Sequence, residues 1–150
     1  MEVAKGMNDM LTMNASDVRK DWSKVLDSVI RRRPAFIKRT RDHMVLSSTE
    51  LISNLVSDVK FNARRYDESD GSVTLSLEAM DIVSNGEDLE AAKKALVSDI
   101  VEYAEEYYNE FERYSHAPNR KNHLPYVMKA LTAETPEELE NAVVCQNGKN

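Results

Sequence analysis

Few side chains in this sequence lie at the spacings that metal binding or nucleophilic catalysis requires. The three histidines, His43, His116 and His123, are far apart and match no zinc-ligand pattern. His116 and His123 flank a Pro-Asn-Arg-Lys loop, which is typical of surface residues or of residues that support a site without binding a ligand themselves. The single cysteine, Cys145, excludes an internal disulfide and a cysteine-based zinc site, and its apolar helical surroundings predict an inert side chain. We therefore expect no metal ion, no cofactor and no cysteine nucleophile.

Carboxylate pairs are the remaining candidates for catalysis. Asp67 with Asp70, and Glu105 with Glu106, have the residue types of acid–base dyads, but their surroundings are typical of a polar turn and a solvated helix face. The four glycines form no phosphate-binding loop. The sequence therefore favours a protein that is not an enzyme. One alternative is a nuclease, in which several carboxylates converge on a divalent metal ion. The carboxylates available for such a site are Asp58, Asp67, Asp70 and Asp81.

Basic side chains gather in the N-terminal third of the chain. Residues 10–57 hold nine bases and five acids, whereas residues 58–115 hold six bases and fifteen acids. The two segments therefore carry net charges of +4 and −9, which predicts two surfaces with different partners. Phosphate contacts dominate affinity for nucleic acids, so the basic segment is a candidate DNA-binding surface, although ordinary solvation explains its charge equally well. Its bases include Arg19, Lys38, Arg39, Arg41 and the arginines at 31–33.

The elements that must position these bases are predicted in the order β-α-α-β-β-α. A short strand over Met10–Met13 leads into a helical turn. Apolar residues at i, i+3, i+4, i+7 and i+8 from Trp22 predict an amphipathic helix that Pro34 ends. Two β-like runs on either side of residues 40–43 predict a hairpin. The Ser-x-x-Glu sequence at 47–50 has the form of a capping box that opens another helix.

The acidic remainder of the chain predicts a small β-sheet and helices, so the fold class is α+β. An irregular strand ends near residue 67, and alternating apolar residues over 73–77 predict a strand with one buried face. Residues 80–83 predict a third strand. Asp88 then caps a long helix whose apolar stripe continues to Phe111. The C-terminal part is predicted to hold helices over 123–131 and 135–144 and a tail over 146–150.

The length of 150 residues allows one domain or two small ones, and the charge pattern favours two, over residues 10–57 and 58–150. No run of about 18 uncharged apolar residues is present, so we expect no membrane span. The first nine residues have no apolar stretch, so we expect a frayed leader rather than a secretory signal. Together these features predict a cytoplasmic protein.

The order and spacing of four segments in the first domain resemble the Phd/YefM antitoxin domain. These segments are Asn14–Arg19, Trp22–Asp27, Pro34–Arg39 and Met44–Leu51. One departure is the hairpin turn, where the family often has glycine and this chain has Arg41-Asp42-His43. The resemblance implies a homodimer that represses its own operon by binding a palindromic operator.

The same resemblance implies which side chains contact DNA. By position, Arg19 matches the arginine that follows the first strand of the family, and Arg39 matches its hairpin arginine. Lys38 and Arg41 are added as candidate DNA contacts on charge alone. Two copies of the domain would present two Arg19 and two Arg39 side chains to adjacent half-sites.

Residues 85–92, with the sequence Asn-Gly-Glu-Asp-Leu-Glu-Ala-Ala, follow the predicted strands and are similar to HicB-type antitoxins. This resemblance implies a partial ribonuclease-H-like fold that binds a toxin and has no nuclease activity. The combined hypothesis is an antitoxin of a type II system, whose acidic domain neutralises a cationic toxin of the ribonuclease type. The candidate toxin contacts are Glu102, Glu105, Glu106 and Glu110, although a solvated helix face explains these residues equally well.

An alternative is a stand-alone dimeric transcriptional regulator. Its C-terminal half would sense a ligand or only dimerise. The residues that suggest a ligand are aromatic, and their helical spacing is more typical of a core than of a pocket. They are Tyr103, Tyr107, Tyr108, Phe111 and Tyr114.

Overall fold

A computed structural model describes residues 11–148. The chain divides into two compact units, of which the first ends at Ile52 and the second begins at Ser53. Both units combine helices and strands, which confirms the predicted α+β class. The predicted leader over residues 1–9, the first residue of the predicted strand at Met10 and the end of the predicted tail lie outside the described residues.

The first unit contains one sheet and the helices around it. In chain order the elements are β1 (Thr12–Asn14), α1 (Ala15–Lys20), α2 (Trp22–Arg31), β2 (Ala35–Arg39), β3 (Asp42–Leu46) and α3 (Thr49–Leu55). The sheet order is β1-β2-β3, with β1 parallel to β2 and β2 antiparallel to β3. Helix α3 begins in this unit and continues past its last residue, Ile52.

The core of the first unit is small. Its buried apolar side chains, among the described residues, are Val18, Val25, Val29 and Ile37. The predicted stripe of α2 is therefore only half buried, because Trp22 is 49% exposed and Ile30 is 71% exposed. Other large apolar side chains of this unit that stay exposed are Leu11, Met13, Phe36, Met44 and Val45.

The hairpin turn and the cap of helix α3 in the first unit differ from their predicted form. The hairpin turn has only two residues, Thr40 and Arg41, because Asp42 and His43 pair with strand β2. Thr40 adopts a φ of 56°, which supplies without glycine the left-handed conformation that such turns need. The cap of α3 is formed by Ser48 rather than by the predicted Ser47, since the Leu51 N–H donates to Ser48 Oγ at 3.2 Å.

The second unit contains a four-stranded sheet covered by helices. In chain order the elements are β4 (Phe61–Asp67), β5 (Val73–Leu77), β6 (Ile82–Gly86), α4 (Leu89–Asn109), α5 (Phe111–His116), α6 (Leu124–Thr132), α7 (Pro136–Ala142) and β7 (Val143–Asn147). The strand order is β6-β5-β4-β7, in which β4, β5 and β6 are antiparallel and β7 is parallel to β4. Helix α4, the longest of this unit, follows β6 and contacts both β5 and β6.

The core of this unit lies between the sheet and α4. Alternate residues of β5 are buried, as predicted, and the stripe of α4 supplies Leu96, Ile100 and Tyr107 with no exposed surface. The predicted helix caps are also present. The Ala91 N–H donates to Asp88 Oδ1 at 2.8 Å, and the Glu138 N–H donates to Thr135 Oγ1 at 3.4 Å.

Three predictions for the second unit are wrong. Phe111 does not continue the stripe of α4, because that helix ends before it and Phe111 begins α5. Met80 lies in a 3-10 turn rather than in a strand. The last helix ends at Ala142, and the chain then forms β7 where a helix end and a tail were predicted. Cys145 consequently lies on this strand, half-buried. The partner of β7 is more than 70 residues earlier in the chain, so no local pattern reveals the pairing.

Gly86 permits the close approach of β6 to α4. A Cβ atom at this position would collide with backbone atoms of Ala91 and Ala92, which cannot move without displacing the helix. Gly71 provides a contrast, because its surroundings are open and only its φ of 89° opposes a side chain.

We expect Gly86→Ala to lower the free energy of unfolding by more than about 3 kcal/mol, because helix and strand must separate. The control Gly71→Ala should lose only about 1–2 kcal/mol through backbone strain. Urea unfolding followed by circular dichroism measures both values. Equal losses in the two variants would contradict the packing described for β6 and α4.

Candidate functional site

Arg19 and Arg39 line one groove of the first unit. Arg19 lies in the last turn of α1, and Arg39 ends β2. The groove has a volume of about 670 Å³, and its walls are mainly apolar, with Trp22, Ile37 and Met44 among them. The structure therefore brings together the two arginines that the sequence singles out by position.

The other two candidate DNA contacts are placed differently. Strand alternation puts Lys38 on the face of β2 opposite to Arg39, and Arg41 lies exposed in the hairpin turn. Arg39 and Asp42 form an ion pair at 3.9 Å in which both side chains are more than 70% exposed. A pair this exposed contributes little stability, so Arg39 can exchange Asp42 for another anion.

The four glutamates predicted to contact the toxin, Glu102, Glu105, Glu106 and Glu110, do not form one continuous surface. Glu102 and Glu105 are exposed and lie three residues apart, on one side of the helix. Glu106 is engaged internally, because Tyr114 Oη donates to Glu106 Oε1 at 2.6 Å. Glu110 lies beyond the end of α4, beside a separate depression that it lines with Phe111 and His116. The structure thus keeps Glu102 and Glu105 together and separates the other two.

Most of the aromatic residues noted in the sequence pack against one another. Tyr107 is fully buried, and its ring meets those of Tyr103, Phe111 and Tyr114 edge-on at 5.6–6.1 Å between centroids. Tyr108 points away from this group and is 65% exposed. The prediction that these aromatic residues belong to a core therefore holds for Tyr107 and Tyr114, and Tyr103 packs against that core.

A cavity of about 210 Å³ adjoins this aromatic group. His123 is buried in its wall, and its Nδ1 lies 2.6 Å from Tyr103 Oη. The guanidinium of Arg120 stacks on the ring of Tyr114, 4.1 Å from its centroid. The lining consists of Met80, Asp81, Ile82, Tyr103, Glu106, Asn119, Arg120 and His123.

The surface position predicted for His123 is therefore wrong. The histidine ends a 3-10 turn directly before α6 and is buried, and Tyr103 on α4 supplies its hydrogen-bond partner. These two residues are 20 positions apart, so no spacing in the sequence indicates the pair. His116 is exposed, as predicted.

Burial shifts the pKa values of several groups near this cavity. Burial lowers the pKa of His123 below its usual 6.5, although the nearby Asp81 carboxylate opposes the shift. Burial also raises the pKa of Tyr103, against the opposing effect of Arg120. At neutral pH His123 is therefore uncharged and Tyr103 is protonated.

Elsewhere in the second unit, Lys129 holds the chain that follows α3. Its Nζ donates to the carbonyl oxygens of Val56 and Ser57, at 3.2 Å in both cases. Burial lowers the pKa of this ammonium, with Lys60 adding to the effect. These two hydrogen bonds offset part of the cost of burying the cation.

Two of the four carboxylates that the nuclease alternative requires, Asp67 and Asp70, have other partners. Asp67 accepts from Arg65 at 3.0 Å, and Asp70 accepts from the N–H and Oγ of Ser72. These hydrogen bonds lower the pKa of Asp70. Within residues 11–148, no group of three or more His, Cys, Asp or Glu side chains is arranged to hold a metal ion. The same residues contain no helix long and apolar enough to cross a membrane.

Two comparisons with known proteins bear on this arrangement. The model of the PHD-like family, described as antitoxin of toxin-antitoxin, RelE/RelB, TA system, matches residues 9–145. The chain belongs to this antitoxin family. A crystal structure of the antitoxin part of a proposed toxin/antitoxin system from Syntrophomonas wolfei subsp. wolfei is 32% identical, with a TM-score of 0.86. The alignment covers 91% of this antitoxin and 99% of that chain. No curated protein matches.

The buried His123 makes the stability of the antitoxin depend on pH. The unfolded state binds a proton at this residue more readily than the folded state, because burial lowers the folded pKa. The free energy of unfolding should therefore fall as the pH drops below about 6.5.

We expect His123→Gln to reduce this loss of stability, measured by urea unfolding at about pH 7.5 and about pH 5.5. The matched control is His116→Gln, which changes an exposed histidine and should keep the dependence of the wild-type protein. An equal loss in wild type and His123→Gln would show that His123 does not titrate as described.

Proposed function

We propose that this antitoxin belongs to a type II system, in which the first unit dimerises and binds operator DNA while the second unit neutralises a basic toxin. The single observation that carries this proposal is the unequal division of apolar burial and charge between the two units. Both partners of such a protein are cytoplasmic, so a cytoplasmic location is part of the proposal.

Dimerisation is supported by the surface of the first unit. Its described residues bury only four apolar side chains, and a unit of this size has little core to stabilise it alone. Trp22, Met44 and Val45 are exposed and line the groove described above, where a second copy can cover them. A symmetric pair would bury this surface twice.

DNA binding is supported by Arg19 and Arg39, which line the same groove but are exposed, so their charged ends can stay in solvent while a second copy covers the apolar residues. A dimer places two copies of Arg19 and two of Arg39 at symmetric positions, as a palindromic operator requires. Arginine suits this role because its planar fork contacts phosphates and the edge of guanine. Arg41 at the hairpin tip is an additional phosphate contact. Lys38 lies on the other face of the sheet, so it can contact DNA only from that face. The order of elements agrees with the Phd/YefM domain that the sequence resembles.

Toxin binding is supported by the charge and topology of the second unit. Residues 58–115 carry a net charge of −9, and a ribonuclease-type toxin needs a basic surface to hold RNA. Opposite charge raises the rate at which two such surfaces meet. The three antiparallel strands, the long helix and the parallel β7 agree with the partial ribonuclease-H-like fold of HicB-type antitoxins. Glu102 and Glu105 are the acidic contacts that the geometry favours, while Glu106 and Glu110 lie at the margin.

A second candidate function is a regulator whose C-terminal half binds a small ligand. The cavity beside Tyr103 and His123 favours it. The absence of a neighbouring toxin gene, together with ligand-dependent operator binding, would support this alternative over the antitoxin pair.

For the DNA contacts, we expect Arg19→Ala and Arg39→Ala each to cost about 1–3 kcal/mol of operator binding. The control Lys24→Ala removes an exposed base that does not line the groove and should cost less. Fluorescence anisotropy with the DNA upstream of the antitoxin gene measures these values at one fixed salt concentration. Operator binding at wild-type strength by the Arg19→Ala/Arg39→Ala double variant would refute the assignment.

For the toxin contacts, we expect the Glu102→Lys/Glu105→Lys double variant to bind the toxin at least about tenfold more weakly, mainly through slower association. The experiment requires a small basic reading frame beside the antitoxin gene, whose product is used as the toxin. Biolayer interferometry at two salt concentrations measures both rates, and Glu87→Lys is the control for a charge reversal elsewhere in the unit. Unchanged association in the double variant would exclude this face.

A further inference from the structure

The cavity in the second unit holds an arginine that is fixed in place but has no counter-ion. The Arg120 guanidinium lies 4.1 Å from the Tyr114 ring centroid and 5.7 Å from that of Tyr103. Within residues 11–148, no carboxylate forms an ion pair with it. Stacking holds the guanidinium in place, and a hydrogen bond with Tyr103 engages only part of its five-donor fork, so other N–H groups remain for a ligand. Such a group is ready to bind a carboxylate through two parallel hydrogen bonds.

The same cavity also carries unpaired negative charge. Asp81 lines it and forms no ion pair within the described residues. Its φ of 56° is unusual for a residue other than glycine, and backbone strain of this kind is frequent at ligand sites. Glu106 is a second carboxylate in the wall; its Oε1 accepts from Tyr114, so its other oxygen is the one left for a ligand. A simple anion would be repelled by these two groups, and a simple cation would be repelled by Arg120.

The size of the cavity restricts the ligand further. Its volume of about 210 Å³ is below the roughly 300–1,000 Å³ of pockets that hold drug-sized molecules. Hydrogen-bonding groups converge on this small space, because buried His123 and the amide of Asn119 also line it. Since Nδ1 of His123 is engaged by Tyr103, its Nε2 is the ring nitrogen that remains for a ligand.

We propose that this cavity binds a small zwitterion with the chemistry of an α-amino acid. The carboxylate of the ligand binds Arg120 and Asn119, and its ammonium group binds Asp81 and Glu106. This inference names a ligand class for the cavity on which the second candidate function rests. It does not depend on the toxin-binding or DNA-binding proposals, because every residue involved lies in the second unit and binding needs neither toxin nor DNA.

The test uses the full-length antitoxin alone, with L-alanine as the probe. Propionate and ethylamine are the comparison compounds, because each carries one of the two charged ends of L-alanine. Nuclear magnetic resonance titration follows the His123 ring and the Asn119 amide. We expect saturable shifts with L-alanine, and binding of propionate and ethylamine at least about tenfold weaker, since each loses one charge-assisted contact.

Two variants locate the site. Asp81→Asn removes the charge and keeps a residue type that tolerates a positive φ, so it should raise the Kd for L-alanine at least about tenfold. Arg120→Lys keeps the charge and loses the planar fork, and it should weaken binding similarly. The control Glu87→Gln removes a carboxylate that does not line the cavity and should leave the Kd unchanged.

Three results would overturn the proposal. These are no saturable shift at about 20 mM L-alanine, equal binding of propionate or ethylamine, and an unchanged Kd in Asp81→Asn. If Arg120→Lys fails to fold, Asp81→Asn alone decides, because its side chain is exposed and supports no buried contact.

Discussion

The burial of apolar surface is divided unequally between the two units, and most properties of this antitoxin follow from that division. The second unit closes a core around α4, in which Phe61, Leu75 and Ile100 have no exposed surface. The described part of the first unit buries four apolar side chains and leaves a larger number exposed. Since the hydrophobic effect is the main favourable term in folding, the first unit gains most by covering this surface with another chain.

Charge follows the same division. The unit with the small core is basic, and Arg19 and Arg39 line the groove with its exposed apolar residues. The unit with the larger core is acidic, which suits the proposed binding of a cationic protein. Under the proposed function, the basic unit contacts DNA and the acidic unit contacts the toxin.

Much of this fold was predictable from the sequence, because local signals decide it. The stripe of α4, the alternation of β5 and the Asp88 and Thr135 caps each depend on residues close in sequence. Strand β7 was not predictable, since its parallel partner β4 is distant and Val143–Asn147 follows a helix directly. The cavity was anticipated only in part: Tyr103 was among the aromatic residues that suggested a pocket, whereas Arg120 and His123 were not. Tyr103, Arg120 and His123 come together only through the packing of α4 against later elements, and each alone is an ordinary residue.

We propose that the first unit completes its core with a second copy of the chain. Sedimentation equilibrium of the full-length antitoxin, without toxin or DNA, measures this association. We predict the mass of two chains at micromolar concentration, and the mass of one chain when Met44→Asp places a charge in the exposed apolar surface. A wild-type protein with the mass of one chain at every concentration, and with both units folded, would show that the first unit does not pair with a second copy.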